Sequence, residues 1–207
     1  MNFQNIIFDW SGTLCNDFRL SYTATKETIR HFGGPNLTIT EYRQQFTLPV
    51  HLFYEQYLPQ VDSKIIDEFY FKHFAPYARR SSLYKGIKGL IKTLSKSKKL
   101  AIYSTVKQSL LEELCTEAGV LKCFDQIQGS VWDKESELPV FCEKMVFDKD
   151  QTVFIGDMEH DILAAKKAGI QSGAVLYGYH SPERLIKLKP DFLCANVSEL
   201  KVNLLGE

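Results

Sequence analysis

Two short apolar runs that each end in a carboxylate constrain this chain more than any other feature. Ile6-Ile7-Phe8 leads directly into Asp9, with Ser11, Gly12 and Thr13 close behind. Such a run reads as a short buried strand, and Asp9 falls where the strand ends, which is where open α/β sheets place their chemistry. Near the other end, Thr152-Val153-Phe154-Ile155-Gly156 repeats the pattern and delivers Asp157, with Asp161 four residues on. Three acids converging on one sheet edge need a cation to coexist.

From about residue 85 onward, strand-like runs alternate with helical ones. Leu100 to Tyr103, Phe124 to Gln128, Thr152 to Ile155, Gly173 to Leu176 and Asp191 to Leu193 read as strands. Between them, helical faces end at Gly119 and Gly169, good C-terminal stops. The alternation predicts an α/β fold with a doubly wound parallel sheet, the strand after Met1 lying at its centre. Residues 16–82 break the rhythm. Ile66, Phe69, Tyr70, His73 and Phe74 recur at three-four spacing, so this insert reads as helical throughout. It holds more than half of the chain's Phe and Tyr residues. With no regular interleaving of Arg and Lys among the rings, that density reads as the core of a small bundle rather than a surface for stacking bases.

Charge excludes some partners. With 25 basic and 25 acidic side chains the formal net charge is zero, so no global field draws the chain to nucleic acid or an anionic membrane. The basic run from Lys85 to Lys99 interleaves with Ile87, Leu90, Ile91 and Leu94 and reads as the wet face of an amphipathic helix. Five cysteines, Cys15, Cys115, Cys123, Cys142 and Cys194, form no pair at metal spacing and read as free thiols in a reducing compartment. Cys15, just past the Asp9 loop, reads as a small buried hydrophobe. No apolar stretch approaches membrane length, so the expectation is a soluble, cytoplasmic protein.

The motifs resemble those of the haloacid dehalogenase superfamily of phosphohydrolases. Its first motif is similar to Asp9-Trp10-Ser11-Gly12-Thr13-Leu14, its second to Ser104 after Leu100-Ala101-Ile102-Tyr103, and its fourth to Gly156, Asp157 and Asp161. The third, a lysine, is matched by Lys134, 23 residues before Asp157, with Lys144 as competitor. Lys134 lies in a polar segment, Trp132 to Glu137, that reads as a loop. The resemblance implies a Rossmann-like core of residues 1–15 and 83–207 and a helical cap of residues 16–82. It implies that Asp9 attacks phosphorus to form an aspartyl phosphate, and that Mg²⁺ is held by Asp9, the backbone carbonyl of Ser11, Asp157 and Asp161. Phosphoryl oxygens would be met by Ser104, Thr105, Lys134 and the backbone amides of Gly12 and Thr13. His51, in Leu48-Pro49-Val50-His51, is the polar candidate for a specificity loop of the cap. His180, within Tyr177 to Glu183, is expected at the surface.

One position departs from the phosphatases of this superfamily. Where they carry an Asp that protonates the departing alcohol and then activates water, this chain has Ser11. A serine hydroxyl hydrogen-bonds but does not exchange a proton usefully near neutral pH. Transport ATPases of the superfamily carry Thr there and keep their aspartyl phosphate. Phosphonoacetaldehyde hydrolases carry Ala but need a cap lysine, for which Lys26, Lys64 and Lys72 are the choices. Haloacid dehalogenases need no acid but lack the paired metal acids. The expectation is therefore a Mg²⁺-dependent hydrolase of a small phosphorylated metabolite, slow or restricted to good leaving groups. The alternatives are a catalytically degenerate sensor that binds metal and phosphate or a partner, and a phosphonatase-like C–P hydrolase.

Overall fold

The computed structural model describes residues 3–78 and 80–206, and the chain divides into two compact units, residues 1–16 with 82–207, and residues 17–81. The first contains strands β1 (Asn5–Phe8), β2 (Lys99–Tyr103), β3 (Gln126–Gln128), β4 (Thr152–Gly156), β5 (Gln171–Val175) and β6 (Phe192–Cys194). They form one parallel sheet in the order β3-β2-β1-β4-β5-β6. The first strand thus lies inside the sheet, as the strand–helix alternation predicts. Strand order reverses between β1 and β4, which leaves a crevice beyond their carboxyl ends because the connecting helices leave on opposite faces.

Both faces of the sheet are buried, which explains why the strands read as continuous apolar runs. Side chains alternate between two cores. Ile6, Phe8, Leu100, Ile102, Val153 and Ile155 pack on one side with residues of α5 (Ile87–Leu94), α6 (Gln108–Ala118) and α10 (Val197–Leu205). Ile7, Ala101, Tyr103 and Phe154 face the other, with residues of α7 (Lys134–Lys144) and α8 (Glu159–Ala168). Helix α9 (Pro182–Lys187) adds Leu185 to a smaller cluster with Ile162 and Ala174. Gly119 and Gly169 take left-handed φ values of 67° and 70° where α6 and α8 end, a conformation that costs glycine nothing.

The lysine-rich segment is amphipathic as expected: α5 buries Ile87, Leu90, Ile91 and Leu94 and leaves Lys88 and Lys92 exposed. The segment around Lys134 differs from the expected loop, because Lys134 opens α7. Asp133 Oδ1 accepts the Ser136 N–H at 3.1 Å, and Glu135 and Glu137 add negative charge to the first turn. That cap and the favourable dipole start a helix in a stretch too polar to announce one.

The second unit comprises α1 (Phe18–His31), α2 (Ile39–Gln45), α3 (Val50–Glu55) and α4 (Ser63–Ala78). Helix α2 begins with a capping box, Thr38 and Glu41 bonding reciprocally. Its aromatic residues form its own core: Tyr42 is fully buried, with ring centroids 4.8 Å from Phe46, 5.7 Å from Phe53 and 5.9 Å from Phe18. Ser21 Oγ lies 2.9 Å from both the Tyr42 and Tyr70 hydroxyls, a buried polar link between α1, α2 and α4. The side chain of Phe74 lies outside the described residues. Among the described residues no helix is long and apolar enough to cross a membrane.

Candidate active site

The reversal of strand order sets the site. Asp9 follows β1 and Asp157 follows β4, neighbouring strands, and the Asp9 N–H continues the ladder to the Ile155 carbonyl at 2.9 Å. Asp161 sits in the first turn of α8 and curls back, its Oδ2 accepting the N–H groups of Asp157 at 3.2 Å and Met158 at 3.0 Å. Those are orphan donors of a helix N-terminus, so the carboxylate caps the helix and completes the cluster together. Gly156 permits this, because a Cβ there would overlap the Asp161 carboxylate.

Lys134 Nζ donates to Asp9 Oδ1 at 2.7 Å and to Asp161 Oδ1 at 2.8 Å, with the lysine 3% exposed. The competitor Lys144 is exposed at the other end of α7. Asp157 is held through both oxygens: Thr13 Oγ1 donates to Oδ1 at 2.7 Å and the Tyr179 N–H to Oδ2 at 2.6 Å. Gly12, at φ 73°, passes so close that a Cβ would overlap the Asp157 carboxylate and the Tyr179 ring. Positive φ and close approach together require glycine there.

The electrostatics follow from burial. Desolvation raises the Asp9 pKa against the pull of Lys134, with Asp161 adding to the rise. It raises Asp157 well above the usual carboxylate range, and the neighbouring charges of Asp9 and Asp161 add to it. Burial acts on Asp161 too, but His160 and Lys134 outweigh it and hold that carboxyl below its ordinary value. Burial alone would lower Lys134; its two carboxylate partners instead carry it to about 12. Oxygen atoms of Asp9, Asp157 and Asp161 lie within 4.8 Å of one another. Full ionisation of the three carboxylates against one ammonium would leave two excess negative charges in a buried space, which is why Asp9 and Asp157 resist ionisation without a cation. An all-oxygen donor set with that excess fits a hard divalent cation.

The other expected residues fall as follows. Ser104 is fully buried beyond the end of β2, its Oγ accepting the Val106 N–H at 3.4 Å, and Thr105 follows it half-buried. Ser11 is half-buried, in a short bridge to Cys15. The Gly12 amide does not face the site as expected; it donates to the Cys15 carbonyl at 2.9 Å, closing the turn whose other end is held by Leu14 and Cys15 N–H groups on the Trp10 carbonyl. Cys15 is buried. His51 lies in the second unit, half-buried at the start of α3.

His180 corrects the surface assignment: it is 2% exposed, with Nδ1 accepting the Glu159 N–H at 3.1 Å. His160, 3.1 Å from Asp161 Oδ1 through Nε2, and Tyr177, whose hydroxyl donates to the Thr13 carbonyl at 3.2 Å, also border the site, though the sequence motifs do not single them out. For His160 the available signal was adjacency to Asp161. For Tyr177 and His180 it was a run of polar and aromatic residues directly after a strand.

The chain is similar to known proteins over nearly its whole length. A phosphoglycolate phosphatase from Vibrio parahaemolyticus is 25% identical over 217 residues, spanning 94% of this chain and 93% of its own. A pyrophosphatase PpaX from Anoxybacillus flavithermus is 25% identical over 214 residues, spanning 100% and 98%. A haloacid dehalogenase-like family hydrolase from Streptococcus pneumoniae superposes with a TM-score of 0.83 at 23% identity, covering 99% of both chains, and so shares the fold. The model for the family described as "Haloacid dehalogenase-like hydrolase" matches residues 6–175, from β1 through β5, and takes in every acid of the cluster as well as Lys134. The chain belongs to the haloacid dehalogenase-like hydrolase family.

Proposed function

We propose that this chain is a Mg²⁺-dependent phosphohydrolase of small phosphorylated metabolites that works through an aspartyl phosphate on Asp9 and favours good leaving groups. The observation that carries the reading is the buried triad of Asp9, Asp157 and Asp161 bridged by Lys134. Asp9, Asp157, Asp161 and the Ser11 carbonyl would hold Mg²⁺, which cancels the repulsion between a carboxylate and a phosphate dianion.

Asp9 would attack phosphorus while Lys134 draws it toward the ionised form and offers a positive charge to a phosphoryl oxygen. Ser104 has its Oγ lone pair engaged by Val106, which leaves its hydroxyl hydrogen to donate to another. Thr105 and the Thr13 amide are further candidate donors. The Gly12 amide, engaged by Cys15, drops out of that set. Substrate choice is assigned to the helical unit of residues 17–81, with His51 its polar candidate.

Ser11 decides the leaving group. General acid–base help is worth about 10²- to 10⁴-fold, and without it a group that departs unprotonated reacts best. Of the substrates that the relatives' names indicate, a phosphoanhydride such as pyrophosphate suits this site better than an alkyl ester such as phosphoglycolate. Ser11 also supports a second reading, a protein that binds metal and phosphate without turnover.

Phosphate release with Mg²⁺ from acetyl phosphate, p-nitrophenyl phosphate, pyrophosphate and alkyl phosphates tests both, with Asp9→Asn as control. Activity on the first three, abolished in the control, is expected. Ser11→Asp should raise turnover on alkyl phosphates, by about 10²- to 10⁴-fold where the full general acid–base contribution is restored. Silence across the panel and in Ser11→Asp, with Mg²⁺ still bound, would leave only the binding reading.

A further inference from the structure

We infer that His180 is a positioning residue for the acid cluster, stapling the loop after β5 to the turn that carries Asp157. The inference rests on the metal reading proposed above. Two bonds from His180 land on that one turn: its backbone N–H donates to the Asp157 carbonyl at 3.3 Å, and its Nδ1 accepts the Glu159 N–H at 3.1 Å. An accepting Nδ1 on a neutral ring puts the imidazole proton on Nε2, a tautomer assigned from these bonds. Glu159 is the first residue of α8, so its N–H has no partner within the helix. Asp161 caps the donors of Asp157 and Met158 from inside the cluster, and His180 caps the next one from the neighbouring loop.

The same loop sets the carboxylate itself. Tyr179, adjacent to His180, gives its N–H to Asp157 Oδ2, and Gly178 lies so close that a Cβ would overlap the carboxylate. Tyr177 reaches the other acid-bearing loop through the Thr13 carbonyl, while Thr13 Oγ1 returns to Asp157. Residues 177–180 therefore touch both chain segments that must be in register for three acids to share one cation. Arg184 of α9 pairs with the Glu159 carboxylate, a second tie between the same pieces. Without the Nδ1 acceptor the Glu159 N–H loses its partner, the turn relaxes, and Asp157 Oδ2 no longer keeps its angle to the Tyr179 N–H. Partners behind metal-ligating groups act through such orientation, and their loss typically costs about 10- to 100-fold in metal affinity.

The test is calorimetric titration of Mg²⁺ into the full-length, chelator-treated protein, with hydrogen exchange at the Tyr179 and Glu159 amides of the metal-free protein as a second readout. His180→Leu removes the acceptor, whereas His180→Asn keeps a carbonyl near the place of Nδ1. The Leu variant should bind Mg²⁺ about 10- to 100-fold more weakly and exchange both amides faster, and the Asn variant should stay within about threefold of the parent. Should the Leu variant not fold, His180→Gln, whose amide sits one bond further out, is read in its place with the same expectation. Parent-like affinity in the variant lacking the acceptor, or equal losses in it and the Asn variant, would overturn the staple alone. Absence of Mg²⁺ binding in the parent protein would overturn the metal reading and the staple with it.

Discussion

Replacing Lys134 with Met removes the only cation that touches both Asp9 and Asp161 through hydrogen bonds among the described residues, while keeping much of the side chain's length. The two lost bonds, at 2.7 and 2.8 Å, join charged groups in a site where the lysine is 3% exposed. Hydrogen bonds to charged groups contribute about 1.5 to 3 kcal/mol each, and removing one partner of a buried ion pair costs about 3 to 5 kcal/mol. The two figures agree, so the metal-free variant should lose about 3 to 5 kcal/mol at pH 8. The loss should shrink on acidification. Asp9 and Asp157 have raised pKa values in the folded state, so below those values the native protein binds more protons than the unfolded chain. Their destabilising charge is thus relieved as pH falls toward the unfolded carboxylate range. Saturating Mg²⁺ should relieve the same excess at constant pH. Urea unfolding at pH 8 and pH 5, each with chelator and with Mg²⁺, reads all four conditions. A loss below about 1 kcal/mol, or one that neither pH nor Mg²⁺ changes, would mean that Lys134 contributes only packing.

Three further outcomes are expected. Asp157→Asn should stabilise the metal-free protein at pH 8 by about 1 to 2 kcal/mol, because the amide can still accept from Tyr179 and donate to the Thr13 hydroxyl, while calorimetry should find Mg²⁺ binding gone. Gly12→Ala should lower the urea midpoint and weaken Mg²⁺ binding together, since the methyl group would press on the Asp157 carboxylate at a φ of 73°. At the end of α7, Val146 is a β-branched residue at φ 54° and is 84% exposed; Val146→Gly should stabilise the fold by about 1 kcal/mol, and an unchanged or lower urea midpoint would refute that account.

Much of the core was legible because strand burial and helix stops are short-range properties. Ile6 to Phe8 and Thr152 to Ile155 appear as strands from their own apolar runs, and Gly119 and Gly169 mark helix ends because only glycine takes left-handed φ without strain. Boundaries were less legible. The strand expected from Phe124 begins at Gln126, since Leu121–Cys123 forms a 3₁₀ turn and Asp125 exchanges hydrogen bonds with Leu100. Lys134 was legible only through its distance from Asp157, because a helix start at Asp133 depends on one cap bond in a polar stretch.

The chain alone determined which residues carry chemistry: acids at strand ends, a lysine at a set interval, and Ser11 in place of an acid. It also determined the sheet class, since alternating periodicities leave few topologies open. Tertiary structure decided what each polar group has left to give. The Gly12 amide turns to Cys15, His180 is buried against the α8 N-terminus, and Asp157 is gripped by Thr13 and Tyr179. Those contacts join segments 144 and 164 residues apart in the cases of Thr13 with Asp157 and Tyr177 with Thr13. Local pattern does not encode a partner at that range; it follows from β1, β4 and β5 lying side by side, which brings the loops beyond their ends within hydrogen-bond reach.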